Sequence, residues 1–165
     1  MVHISVRSVR RASQMLLVLA GLASASACSG RDPVGAPSGL EVSVDPDRAA
    51  MASGQLLTIR VALVNRGVRR VSLSGSSTGT LWVEVRDPTG RPMARIRGYT
   101  DDLARFDVAP GASLVRVWEW DGRTFDSQAG RPVAVPPVEY LLVGRLTATE
   151  ARAESAPRRF TILAP

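Results

Sequence analysis

Leu56-Leu57-Thr58-Ile59-Arg60-Val61-Ala62-Leu63-Val64-Asn65 places Leu57, Ile59, Val61 and Leu63 at every second position, with Thr58, Arg60 and Ala62 between them. Successive side chains of a β-strand point to opposite faces, so this spacing puts four large apolar side chains on one face and shorter or charged ones on the other. The stretch reads as a strand with one buried face. Asn65-Arg66-Gly67 ends it with residues that suit a turn.

The same period of two spreads outward from this strand. Upstream, Leu40, Val42 and Val44 alternate with Glu41 and Ser43 before Asp45-Pro46-Asp47 turns the chain. Downstream, Val71 and Leu73 precede the loop Gly75-Ser76-Ser77-Thr78-Gly79. Leu81, Val83 and Val85 alternate again and close at Asp87-Pro88-Thr89-Gly90, and residues 93–98 add a further candidate strand. Residues 99–105 are expected to make one helical turn, with Thr100 as its N-cap. Ala109-Pro110-Gly111 leads into residues 114–120, where Leu114, Arg116, Trp118 and Trp120 share a face. Residues 140–148 and the pair Phe160 and Ile162 supply the last strands. Many short alternating strands separated by Gly and Pro turns predict an all-β fold, a two-sheet antiparallel sandwich over residues 40–165.

The chain begins differently. Arg7, Arg10 and Arg11 precede the apolar run at residues 15–22, and the small residues Ala23-Ser24-Ala25-Ser26-Ala27 lead to Cys28. An apolar run this short falls below the ~20 residues needed to span a bilayer and fits a cleaved signal peptide over residues 1–27. Ala25-Ser26-Ala27 is a small-x-small site for ordinary signal peptidase, and the same residues followed by Cys28 resemble a bacterial lipobox. Cys28 is the one cysteine of the chain, and a lone thiol in an oxidising compartment is otherwise an oddity. The favoured reading is therefore a lipoprotein lipidated on Cys28, with plain secretion as the alternative. Residues 28–39, rich in Gly, Pro and Ser, read as a flexible tether. The expected location is the cell envelope, with contact to the membrane through the lipid. Ser29, where an aspartate would favour the inner membrane in some bacteria, leans the expectation to the outer one.

Charge adds an exclusion. The net charge is +6, but removing the arginines of the signal takes 21 basic residues to 18 against 15 acidic ones, or +3. Every basic residue apart from His3 is an arginine, and the arginines are scattered among carboxylates rather than gathered in a stripe. A nucleic-acid partner is not expected on that distribution.

The side chains also limit the chemistry. His3 is the one histidine and leaves with the signal, so the mature chain holds no imidazole base for a Ser-His-Asp or Cys-His arrangement. Zinc and copper sites rely on the same missing ligands, and no phosphate-binding or dinucleotide fingerprint is present. No catalytic residue, metal or cofactor is expected. Asp101, Asp102, Glu119, Asp121 and Asp126 could supply an acid/base pair, but their setting suits turns and solvated loops better. Trp118 and Trp120 are expected to pack on the core. The polar segment 121–131 is expected to be an exposed loop, and loops of that kind concentrate binding residues. Tyr140 is expected to donate its hydroxyl to nearby backbone, as in a tyrosine corner.

The order of motifs adds a resemblance. Asn65-Arg66-Gly67 is followed by Ser72-Leu73-Ser74-Gly75 and by a strand ending in Asp87-Pro88-Thr89-Gly90. A Pro-Gly turn then enters the Trp-bearing strand at 114–120, and a Pro-Pro-x-x-Tyr strand follows over 136–144. This order resembles the bacterial intracellular proteinase inhibitor family, the BsuPI-like domains, over residues 56–163. The resemblance implies an immunoglobulin-like sandwich and a protein partner, with a proteinase as the first class to consider. On this reading the protein is an envelope-anchored binding module. The turn Gly122-Arg123-Thr124 is the candidate partner-binding loop, because an arginine suits a trypsin-like pocket. The alternative is an accessory envelope lipoprotein that binds a partner other than a protease.

Overall fold

The alternation at the centre of the sequence becomes strand β3 (Leu57–Asn65), whose Leu57, Ile59, Val61 and Leu63 are completely buried. The structure is a computed structural model that describes residues 39–126 and 128–164. The expected signal peptide, the lipidation site Cys28 and the expected tether up to residue 38 lie outside the described residues.

β3 is the middle strand of a three-stranded antiparallel sheet, between β1 (Leu40–Pro46) and β8 (Ser113–Trp120). The facing sheet is larger. Its main path runs β2 (Ala50–Ala52), β13 (Arg158–Leu163), β11 (Glu139–Thr147), β5 (Leu81–Arg86) and β6 (Pro92–Ile96), and β12 (Arg152–Glu154) pairs with the far end of β11. β1 and β2 belong to different sheets, and β2 runs parallel to β13 while the remaining pairs are antiparallel. This crossing of the first strand from one sheet to the other completes an immunoglobulin-like antiparallel β-sandwich. Two further two-stranded antiparallel pairs complete the fold: β4 (Val71–Gly75) with β7 (Ala104–Val108), and the hairpin of β9 (Arg123–Asp126) with β10 (Arg131–Ala134).

The core lies between the two sheets. Met51, Val83, Val85, Leu142, Phe160 and Ile162 of the larger sheet meet Val42, Val44 and the buried face of β3. Trp120 is buried and Trp118 packs against the same core. Their indole N–H groups donate to the carbonyls of Arg123 (2.7 Å) and Leu81 (3.2 Å). The expected packing of both tryptophans holds. The Tyr140 hydroxyl donates to the Pro136 carbonyl at 2.8 Å, four residues upstream, as a tyrosine corner requires. Burial, with a smaller contribution from Asp87, raises the pKa of that phenol and keeps it a donor.

Residues 99–105 form no helical turn. The Thr100 hydroxyl lies within hydrogen-bond distance of the hydroxyls of Ser76 (2.9 Å), Ser77 and Thr78 (both 3.2 Å), and it also bonds Asp102. A capping oxygen spent on a neighbouring loop cannot start a helix. From Ala104 onward the backbone is taken by β4 instead.

The sheets approach closely at Gly144 of β11. A Cβ there would stand 3.0 Å from Val61 Cγ1, 3.1 Å from Val42 Cγ1 and 3.3 Å from the Ser43 carbonyl. Gly144→Ala is expected to cost about 2 kcal/mol, the scale of overpacking a filled core. The check is urea unfolding, with a lowered midpoint and an unchanged slope. An unchanged midpoint would mean that the sheets part there without penalty.

Candidate functional site

β5 alternates like its neighbours, and its outward residues are unusual. Leu81, Val83 and Val85 enter the core, while Trp82 and Glu84 point to the other face and are nonetheless buried, Trp82 at 6% exposure. Arginines cover them. Register sets Trp82 opposite Arg145 of β11, Glu84 opposite Arg95 of β6, and Arg145 opposite Glu154 of β12. The guanidinium carbons of Arg97 and Arg145 stand 5.7 and 5.8 Å from the centre of the Trp82 ring, and Arg97 also lies 4.6 Å from the Tyr99 ring. Cation–π attraction to an indole face is the favourable arrangement for such cations. The Trp82 indole N–H donates to the Thr147 hydroxyl at 2.9 Å, which fixes the ring.

The carboxylates of this face are already engaged. Glu84 accepts from Arg86 at 2.6 Å, and Glu154 accepts from Arg86 at 3.0 Å and from Arg145. Partial burial works against the Arg86 charge, but the hydrogen bonds to Glu84 and then Glu154 outweigh it and raise its pKa. Arg95, Arg97 and Arg152 have no carboxylate partner among the described residues, and the buried Nε of Arg97 has no hydrogen-bond acceptor there. Trp82, Arg95, Arg145, Arg152 and Glu154 line a cleft of about 500 Å³.

A second cleft, of about 320 Å³, shares Arg95 with the first and is bounded by Pro92, Met93, Tyr99, Thr124 and Phe125. Tyr99 and Phe125 are 79% and 68% exposed, high values for aromatic side chains. The two clefts thus form one face that runs from Phe125 past Tyr99 and Arg97 to Trp82 and Arg152. Forked guanidinium donors and aromatic surfaces can grip carboxylates, other anions and flat apolar groups.

The expected loop at 121–131 is built differently from a free loop. Residues 123–126 and 131–134 pair as the β9–β10 hairpin, and Gly130 turns near its tip with φ +63°. Gly122 is buried rather than exposed: it adopts φ +76° against Met51 and Ile162, which corrects the expectation of an open turn. Arg123 is exposed; its backbone N–H donates to Asp121 at 3.1 Å. Thr124 is half-buried and its hydroxyl donates to the Met93 carbonyl at 3.0 Å, which ties the hairpin to the edge strand β6. The turn therefore flanks the aromatic end of the arginine face. Of the carboxylates weighed for chemistry, Asp126 caps the hairpin tip through Gln128 and Ala129, and Asp102 accepts from Thr100 and Ser77. Those bonds, the one from Thr100 first, hold the Asp102 pKa below the ordinary carboxylate value. Glu119 is exposed on β8. Among the described residues no group of three or more His, Cys, Asp or Glu side chains is placed to hold a metal.

Sequence reading passed over Trp82, Arg95, Arg97, Arg145 and Arg152. Trp82, Arg95, Arg145 and Arg152 stand on strands and Arg97 directly follows β6, but these arginines are dispersed over 58 positions of the chain. Strand register alone makes them neighbours.

Neither a protein-family model nor a curated protein matches the chain. Among solved structures, a β-glucosidase from Erythrobacter marinus is similar at 19% identity and a TM-score of 0.46, over 75% of this chain and 15% of that one. A β-glucosidase from Listeria innocua, solved with isofagomine, is similar at 13% identity and a TM-score of 0.46, over 76% and 16%. The CARDB domain of a Pyrococcus furiosus protein, solved in complex with di-metal ions, is similar at 11% identity and a TM-score of 0.45, over 76% and 94%. The chain spans about one-sixth of the length of the two glucosidases. Likeness at this level carries no activity or ligand to this chain.

Proposed function

We propose that this protein is an envelope-tethered binding module that holds a protein partner on the aromatic–arginine face and performs no catalysis. The observation that carries the proposal is the concentration of Trp82, Tyr99, Phe125 and arginines on one face, with Arg95 and Arg152 free of carboxylate partners among the described residues. Tryptophan, tyrosine and arginine dominate binding hot spots, and unpaired guanidinium groups favour an acidic partner surface. Proteinase inhibition is the form of binding that the BsuPI-like resemblance implies, with Arg123 as the residue to enter a trypsin-like pocket. A partner other than a protease is favoured by the breadth of the face, which extends well beyond Arg123.

One experiment separates the two. The mature protein is added to trypsin- and subtilisin-like proteases, and in parallel it is cross-linked in envelopes and its partners identified. Inhibition at micromolar concentration that Arg123→Ala removes supports the inhibitor reading. Absence of inhibition, with a partner captured by the native protein and lost with Arg95→Glu/Arg152→Glu, supports the accessory reading. The loss expected for the double variant is about thirtyfold in affinity, the ~2 kcal/mol typical of a hot spot. Binding and inhibition that survive all of these substitutions would sink the proposed face.

A further inference from the structure

The end of the sandwich where the domain begins carries a feature that the arginine face does not use. Arg66-Gly67-Val68-Arg69-Arg70 joins β3 to β4 at this end. The Arg66 backbone N–H donates to the Gly39 carbonyl at 2.6 Å. Gly39 itself, at φ +106°, is so close that an added Cβ would stand 2.7 Å from the Gly67 nitrogen. The loop is thus packed directly on the first described residue of the domain.

Its shape is held from inside. The buried Asn65 side chain donates to the carbonyls of Arg69 (2.7 Å) and Val108 (2.9 Å) and accepts from the Gly67 N–H at 2.9 Å. That clamp leaves Val68 turned outward at 92% exposure, with Arg66, Arg69 and Arg70 exposed around it. Arg66 pairs with Glu41 at 2.9 Å. Arg69 and Arg70 have no carboxylate partner among the described residues. The neighbouring turn, Ala109-Pro110-Gly111-Ala112, carries no charge and is joined to Asn65 by two backbone hydrogen bonds.

We infer that this end of the domain docks on an anionic lipid surface, with Val68 entering the headgroup layer and Arg69 and Arg70 on the lipid phosphates. The inference rests on the reading of Cys28 as the lipidated anchor. At most about 40 Å of chain, at roughly 3.5 Å per residue, separates Cys28 from Gly39, so a lipid on Cys28 would limit how far the Gly39 end can stand from the membrane. An exposed apolar side chain ringed by arginines is the composition that peripheral membrane contacts use. A basic patch beside a lipid anchor adds electrostatic attraction to anionic headgroups. The charge on this loop and the point where the chain enters the domain favour a lipid surface over a protein partner.

The test uses the full mature protein with Val68→Cys, whose thiol is labelled with an environment-sensitive fluorophore, in vesicles of phosphatidylcholine with or without phosphatidylglycerol. Val117→Cys, exposed on β8, serves as the control position. The expected result is a blue-shifted, brighter signal at position 68 in anionic vesicles alone, reversed by high salt and absent at position 117. Arg69→Gln and Arg70→Gln should each weaken partition about fivefold. Intact mass of the same preparation reports whether Cys28 carries lipid. Lipid on Cys28 with equal signals in both vesicle types would overturn the docking and leave the anchor standing. An unlipidated Cys28 would be labelled in both variants, so a signal that still exceeds the position-117 control in anionic vesicles would keep the docking and remove the anchor reading.

Discussion

Phe160→Ala is expected to destabilise the domain by about 4 kcal/mol, within the 3–5 kcal/mol typical of emptying a large aromatic site in a packed core. Phe160 is buried on β13, opposite Tyr140 of β11, and its ring lies 6.5 Å from that of Trp120 in the facing sheet, tilted by 57°. The side chain therefore joins two sheets as well as two strands. A tilted aromatic pair adds about 1 kcal/mol beyond the area it buries, and truncation loses that term along with the cavity. Total stability for a domain of this size is about 5–15 kcal/mol, so the substitution removes roughly a quarter to four-fifths of it. The measurement is the urea midpoint together with near-UV circular dichroism of Trp120. Phe160→Leu, which refills most of the volume, should recover more than half of the loss. A loss below about 1 kcal/mol for Phe160→Ala would show that the sheets relax onto the vacancy.

Asn65→Ala is expected to cost about 3 kcal/mol although it removes little apolar surface. The Asn65 amide is 1% exposed and makes three hydrogen bonds, to two carbonyls and one N–H. Truncation leaves the buried Val108 carbonyl and the part-buried Arg69 carbonyl without these donors, and a buried group so left costs about 1–3 kcal/mol. Asn65→Asp keeps the oxygen but turns the donor end into an acceptor that faces the same two carbonyls. At neutral pH it should be at least as damaging as alanine. Amide exchange in residues 66–70 should rise in both variants ahead of the core strands, because the clamp holds that loop first. If Asn65→Ala unfolds at the native midpoint, the loop is held by the Gly39 contact rather than by the amide.

The two substitutions also mark which parts of the protein could be read before folding. Phe160 was legible as a core residue because it alternates with Ile162, and Leu57 to Leu63 were legible for the same reason. Asn65 was legible as a strand end, but its bond to Val108 spans 43 positions and had no local trace. β7 was missed because Asp101 and Asp102 after Thr100 resemble a helix start, although Ala104, Phe106 and Val108 carry the strand period. β9 and β10 are four residues each with no run of apolar alternation, and hairpin pairing creates them instead. A glycine in a polar stretch reads as exposed, yet Gly122 is buried, and a Cβ there would stand 3.0 Å from Met51 Cε and 3.6 Å from Ile162 Cδ1.

The fold class followed from sequence alone, since a period of two is a property of each strand by itself and needs no partner to be seen. The tyrosine corner and the packing of Trp118 and Trp120 followed as well, because short-range spacing and sheer side-chain size decide them. The candidate surfaces did not. Trp82, Arg95, Arg97, Arg145 and Arg152 become one face only when β5, β6, β11 and β12 are laid in register, and register is set by which strands pair across the whole chain. The loop at Val68 gained its meaning in the same way, from Gly39 and Asn65 meeting at one end of the sandwich. Alternation is local and survives in the linear sequence; adjacency between distant strands exists only once the chain has closed on itself.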